Sequence, residues 1–155
     1  MFVLGFALLQ VAILVLSVQG RLDWLMNANA VVTAAIVGLL DIPVTLQGTQ
    51  LVMTNHILQI DLECTGITIA ALYAALIVAY PLSIRTRLLA LAVGLPVLAI
   101  VNVVRLVGVA LASEYLSPDL FFFAHDYLFR VVMILAVVAL WVAWLQVART
   151  HASHA

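Results

Sequence analysis

Charge is what this chain has least of. Of its 155 residues 8% are charged, against a hydrophobic fraction of 67% and a mean hydropathy of +1.28. A soluble domain carries roughly 25% charged residues, so this composition cannot cover a water-facing surface and reads as lipid-embedded. Lysine is missing, all six basic residues being arginine, and the formal net charge of −1 carries no nucleic-acid signal. No nucleic-acid partner is expected. The single cysteine excludes an internal disulfide. One thiol with one nearby histidine does not make a metal site, so neither metal nor cofactor is expected. Low-complexity tracts, clear repeats and domain-dividing linkers are also lacking, which predicts one membrane-embedded domain over residues 1–155.

What the chain does have is apolar runs. A spanning helix needs roughly 20 mostly apolar residues. Residues 1–18 carry no charge and form the first candidate. They lack the basic start and the small-residue cleavage site of a signal peptide. Arg21, Asp23 and Trp24 then mark a membrane–water interface. Residues 28–40 are apolar but short, and predict a helix lying in or dipping into that interface. Pro43 ends it by disfavouring helix at the preceding residue. Residues 43–62 are rich in Val, Thr, Ile and Leu and are interrupted at Gln47-Gly48 and Thr54-Asn55. That composition predicts a short β-hairpin or extended ribbon outside the hydrocarbon, because open sheet edges do not survive facing lipid. Three long apolar runs follow, over 64–80, 88–112 and 122–147. The expected fold is therefore an all-α membrane protein with about four transmembrane helices, an interfacial helix and an extracytoplasmic hairpin.

The link carrying Arg85 and Arg87, and the C-terminal end with Arg149, contain the basic residues that favour the cytoplasm. With both there, four spans put both termini inside. The segment from 21 to 63, the start of the 64–80 run, the end of the 88–112 run and the start of the 122–147 run then face outward.

Polar residues inside these runs are the costly ones. Arg105 interrupts "LAIVNVVRLVGVAL", where an arginine costs about 2.5–3.5 kcal/mol at a span's centre. Asn102 lies one turn earlier on the same face. Cys64 follows Glu63 directly, and His125 opens the last run. At about 1.5 Å per residue, Cys64 stands about 26 Å above Pro81, Arg105 about 27 Å above Arg87 and His125 about 28 Å above Trp144. Three separate runs thus deliver a thiol, a guanidinium and an imidazole to one level near the outer face.

Taken singly, each has a structural reading. A lone membrane cysteine is usually small hydrophobic filler, Arg105 can snorkel, His125 can be interfacial, and Asn102 can bond a neighbouring helix. Asp126 and Arg130 are spaced as a helical ion pair. His56 reads as a ribbon residue, and His151 and His154 as part of a polar tail. Together, Cys64, Arg105 and His125 suit nucleophilic chemistry. A thiolate attacks a carbonyl, a histidine moves the protons, and an arginine stabilises the oxyanion. A helix N-terminus favours the thiolate. Glu63 alone opposes it, and faces either the histidine or the substrate.

In "ECTGI" at 63–67, "NVVRL" at 102–106 and His125 opening the final run, the sequence resembles the exosortase/archaeosortase family of membrane-embedded cysteine transpeptidases. The likeness covers roughly residues 25–145, and many members have further N-terminal spans. The resemblance implies Cys64 as nucleophile, His125 as proton-transfer residue and Arg105 as electrostatic stabiliser, with Asn102 and Glu63 in support. The implied partners are membrane lipid and secreted proteins whose C-terminus carries a recognition motif, a hydrophobic span and a basic end. The implied location is a bacterial inner membrane with the site facing the periplasm, or an archaeal cell membrane with the site facing out. Two other readings use the same residues: an intramembrane cysteine protease with water as acceptor, and a non-catalytic membrane scaffold in which Arg105 and the Asp126/Arg130 pair join helices.

Overall fold

The computed structural model describes residues 2–54 and 56–152. It is mostly helical, with one small sheet. Helix α1 is Phe2–Val18 and α2 is Asp23–Leu39. Strands β1 (Val44–Gln47), β2 (Gln50–Met53) and β3 (Ile57–Gln59) follow, then a 3₁₀ turn at Leu62–Thr65. Helix α3 is Ile67–Ala79 and α4 is Ile84–Tyr115. Helix α5, Pro118–Phe123, passes through a π-helical turn at Ala124–Leu128 into α6, Phe129–Ala152.

Helix α4 organises the rest. Its buried positions include Ala90, Gly94, Leu98, Asn102, Leu106 and Ala110, a stripe at every fourth residue, and such i, i+4 positions share a helix face. On the opposite side Ile100 and Val104 are exposed. The lower part of the stripe packs against Tyr73 and Ile77 of α3 and Val137 of α6. The upper part, with Leu106, Val109 and Ala110, packs against Ala30 and Val37 of α2 and against the sheet. Exposed large apolar side chains also run along α1 and α6, Leu8, Leu14 and Leu135 among them. A soluble monomer rarely presents contiguous apolar surface on this scale.

Among the described residues two helices are long and apolar enough to cross a membrane, Ile84–Tyr115 and Phe129–Val147. The 32 residues of α4 rise about 48 Å at 1.5 Å each, longer than the roughly 30 Å of hydrocarbon. Helices α1 and α3, with 17 and 13 residues, are shorter than the roughly 20 residues of an untilted spanning helix. The run expected over 64–80 is shortened at its start because Gly66, at φ +74°, turns the backbone out of the right-handed helix before Ile67. Cys64 therefore lies in the preceding 3₁₀ turn and not in the helix.

The other differences are local. The expected interfacial helix over 28–40 begins five residues earlier, at Asp23, and its Ala30–Thr33–Val37 stripe is buried. It packs on α4, on the sheet and on the turn holding Cys64. It ends at Leu39, with Asp41 in the left-handed region at φ 59° just before Ile42-Pro43. The expected hairpin is a three-stranded antiparallel sheet in the order β1-β2-β3. Gln47 pairs with Gln50 around Gly48-Thr49, and Val52 pairs with Ile57 in the added strand pair. A third strand is the physical remedy for a two-stranded ribbon, which is marginal alone. The run expected over 88–112 extends to Ile84 and Tyr115, with Ser83 as N-cap, its Oγ accepting from Thr86 N–H at 3.3 Å. The last run starts at Pro118, which suits the first helical position.

Candidate functional site

The turn that holds Cys64 is tied on every side. Its backbone N–H donates to the Asp61 carbonyl at 2.9 Å. Thr65 Oγ1 donates to the Leu62 carbonyl at 2.6 Å and accepts from Ile67 N–H at 3.4 Å. The Cys64 carbonyl accepts from Asn102 Nδ2 at 2.9 Å. Just before the turn Ile60 is fully buried, and its N–H donates to the Thr49 carbonyl at 2.9 Å. The sheet thereby fixes where the turn begins. Its apolar face closes over Leu106, Val109 and Ala110 of α4, with Cys64 packed half-buried against that cluster.

Gly66 serves two purposes. At φ +74° and ψ 6° it ends the turn and starts α3, a conformation that costs an L-residue with a Cβ roughly 1–2 kcal/mol. It also lets Asn102 come close. A Cβ at Gly66 would stand 3.0 Å from Asn102 Cγ and 3.1 Å from its Oδ1. Asn102, 1% exposed, lies against this glycine. One turn further along α4, Arg105 Nη1 donates to Asn102 Oδ1 at 3.2 Å.

His125 sits in the π-helical turn between α5 and α6. The wider turn inserts a residue into the helical ladder and re-aims the side chains around it, a device frequent at functional sites. The imidazole stacks on Phe121, with ring centroids 5.7 Å apart and planes 26° apart. Phe121 is in turn stacked on His56 of the β2–β3 connection at 6.3 Å.

These pieces line one cavity of about 330 Å³. Its wall includes Glu63, Cys64, Thr68, Arg105, His125 and Arg130, with an apolar side made by Ile69, Met133 and Ile134. The wall thus brings two arginines and one acidic residue beside the cysteine. Cys64, Arg105 and His125 come to this wall from the turn before α3, from α4 and from the π turn. Asn102 lies behind the wall and not in it.

Arg130, read from its spacing as a partner of Asp126, lines the cavity. The side chains of Asp126 and His151, and all of His154, lie outside the described residues. His56 is a ribbon residue that makes a ring contact. Asn29 of α2, a residue the sequence did not single out, accepts from Asn102 Nδ2 at 3.2 Å through its Oδ1. The two are 73 positions apart, and no spacing rule connects them. Among the described residues no group of three His, Cys, Asp or Glu gathers to hold a metal.

No curated protein and no solved structure matches the chain at a significant level. A family model does, described as transmembrane exosortase, over residues 1–150. With nearly the whole chain inside that match, and with long apolar helices presenting their large side chains outward, this is a membrane protein that belongs to the transmembrane exosortase family.

Proposed function

We propose that the protein is a membrane-embedded cysteine transpeptidase. Its substrates are secreted proteins with a C-terminal recognition motif, a hydrophobic span and a basic end. The observation that carries this reading is the single cavity shared by Cys64, Arg105 and His125. The Cys64 thiolate attacks the carbonyl carbon of the scissile peptide bond, and the negative charge passes to the carbonyl oxygen. Arg105 stabilises that oxyanion. Collapse of the intermediate expels the amine, which takes a proton from His125, and leaves a thioester on Cys64. A nucleophile on the acceptor then gives its proton to His125 and attacks the thioester, releasing the thiolate. Asn102 holds the turn and the arginine, and Glu63 contributes a carboxylate at the cavity wall.

The proposed topology has four spans, formed by α1, α3, α4 and α6, with both termini cytoplasmic and the cavity toward the periplasmic or external side of a cell membrane. The 13 residues of α3 rise about 20 Å, and the turn above it carries Cys64 a few ångströms further. The thiol then stands within reach of a peptide leaving the hydrocarbon, and the bilayer thins around the shorter helices.

Co-expression with candidate tripartite-tail proteins tests the reading. Cys64-dependent loss of the tail, with the new C-terminus joined to an acceptor, is the expected result. A new C-terminus that bears only water's oxygen would make the enzyme a protease instead. Unchanged processing by a well-expressed Cys64→Ala protein would end the cysteine reading altogether.

A further inference from the structure

The carboxamide of Asn102 has three partners, one each from α2, α4 and the turn before α3. Its Nδ2 donates to the Cys64 carbonyl at 2.9 Å and to Asn29 Oδ1 at 3.2 Å, while its Oδ1 accepts from Arg105 Nη1 at 3.2 Å. A side-chain amide has two N–H donors and one oxygen, so both donors are committed. Asn29 is itself oriented: its Nδ2 donates to the Leu25 carbonyl one turn back along α2, at 2.9 Å. That bond leaves its oxygen facing Asn102. Turning over either amide would set oxygen against oxygen or N–H against N–H. The direction of a backbone carbonyl in α2 therefore dictates the direction of Asn29, then of Asn102, and finally which atom Arg105 meets.

We propose that Asn29 is a positioning residue for the cavity. Acting through Asn102, it fixes both the Cys64 carbonyl and the Arg105 guanidinium. Its effect on turnover rests on the function proposed above, whereas its effect on the thiol's surroundings does not. Without Asn29, one N–H of a buried carboxamide loses its acceptor, a state avoided in protein interiors. With that restraint gone, the amide swings toward any acceptor its free N–H can reach, and the swing lengthens its bonds to the Cys64 carbonyl and to Arg105. A low-dielectric interior makes each of these losses more costly than in water.

The test uses the full chain in membranes. Variants are Asn29→Leu, close to asparagine in shape but without an acceptor, Asn29→Ala, Asn29→Asp, Asn102→Ala and the Asn29→Leu/Asn102→Ala double variant. Two readouts are taken at matched membrane abundance: processing of a tripartite-tail substrate, and the rate at which N-ethylmaleimide alkylates Cys64, the chain's sole thiol. Asn29→Leu should slow processing up to about tenfold, the upper end of the loss from one part-buried hydrogen bond. It should shift the alkylation rate roughly threefold or more, because thiol reactivity follows its immediate surroundings. Asn29→Asp keeps an acceptor oxygen for Asn102 but sets its other oxygen against the Leu25 carbonyl, and should recover part of the loss. In the Asn102→Ala background, Asn29→Leu should change neither readout further, since residues acting through one partner are not additive. Multiplicative losses in the double variant, or unchanged readouts for both Asn29→Leu and Asn29→Ala, overturn the proposal. Coupled alkylation rates with no processing by the unmodified protein would leave the positioning role standing and remove the proposed activity.

Discussion

Replacing Gly66 by alanine asks two things of the Cys64 turn at once. The first is backbone strain: at φ +74° an alanine costs about 1–2 kcal/mol. The second is space. The new methyl would lie 3.0, 3.1 and 3.3 Å from Asn102 Cγ, Oδ1 and Cβ, inside the usual carbon contact of about 3.5–4.0 Å. Asn102 cannot retreat freely, because its amide is bonded to the Cys64 carbonyl, Asn29 and Arg105. A retreat of a few tenths of an ångström weakens the bonds to Cys64 and Arg105, at about 1 kcal/mol each. The total is about 3–4 kcal/mol, roughly half of it delivered to the cavity. Gly48 supplies the control. It has a similar φ of +61°, but a methyl there meets nothing within 4 Å. Gly48→Ala should therefore lose about 1–2 kcal/mol and leave Cys64 untouched. Thermal unfolding in detergent measures the first quantity, and alkylation of Cys64 the second. If Gly66→Ala matches Gly48→Ala in stability and leaves the alkylation rate unchanged, the contact between Gly66 and Asn102 has no energetic weight and the reasoning fails.

Cys64→Ala should abolish processing at normal membrane abundance, since no second thiol exists; residual tail cleavage would refute it. His125→Ala should lower the rate roughly 10²–10⁴-fold, the usual contribution of general acid–base catalysis. Arg105→Lys should lower it about 10²-fold, because a point charge does not replace the planar fork that meets both Asn102 and an oxyanion; a snorkelling arginine would tolerate lysine. Tyr73→Phe removes the 2.9 Å bond from Tyr73 Oη to the Ala90 carbonyl, neither residue being on the cavity wall, and should cost about 1 kcal/mol of stability with processing unchanged. Reporter fusions at positions 83 and 50 should give opposite topology signals, and matching signals would remove the four-span arrangement.

Much of the architecture is legible because it rests on composition and local rules. Charge scarcity and long apolar runs identify a lipid-embedded chain without any contact being known. The β-branched stretch after Pro43 announces strands, and Gly48 marks their first turn, because both are local backbone preferences. The third strand is less visible: Ile57–Gln59 is three residues long, too short to show an alternating pattern of its own, and is held by pairing with β2. Helix ends fared similarly. Gly66 looks like one more small residue at the head of an apolar run. Its left-handed conformation closes the Cys64 turn, and the side chain its missing Cβ admits, Asn102, comes from another helix.

The residue types for thiol chemistry, Cys64, Arg105 and His125, stand out in the sequence because polar groups in apolar runs are expensive. Their surroundings do not. The stack of Phe121 between two histidines joins α5 and the π-helical turn to the β2–β3 connection, far away in the chain. Arg130 follows Asp126 at helical spacing, yet its place on the cavity wall depends on how α6 is rotated against α3 and α4. The bond from Asn102 to Asn29 depends on α2 folding back beside α4. Sequence determines which groups are costly to bury and how each segment prefers to run. Which of those groups share a partner is decided by packing, because one amide can satisfy three elements only after all three have been brought to the same place.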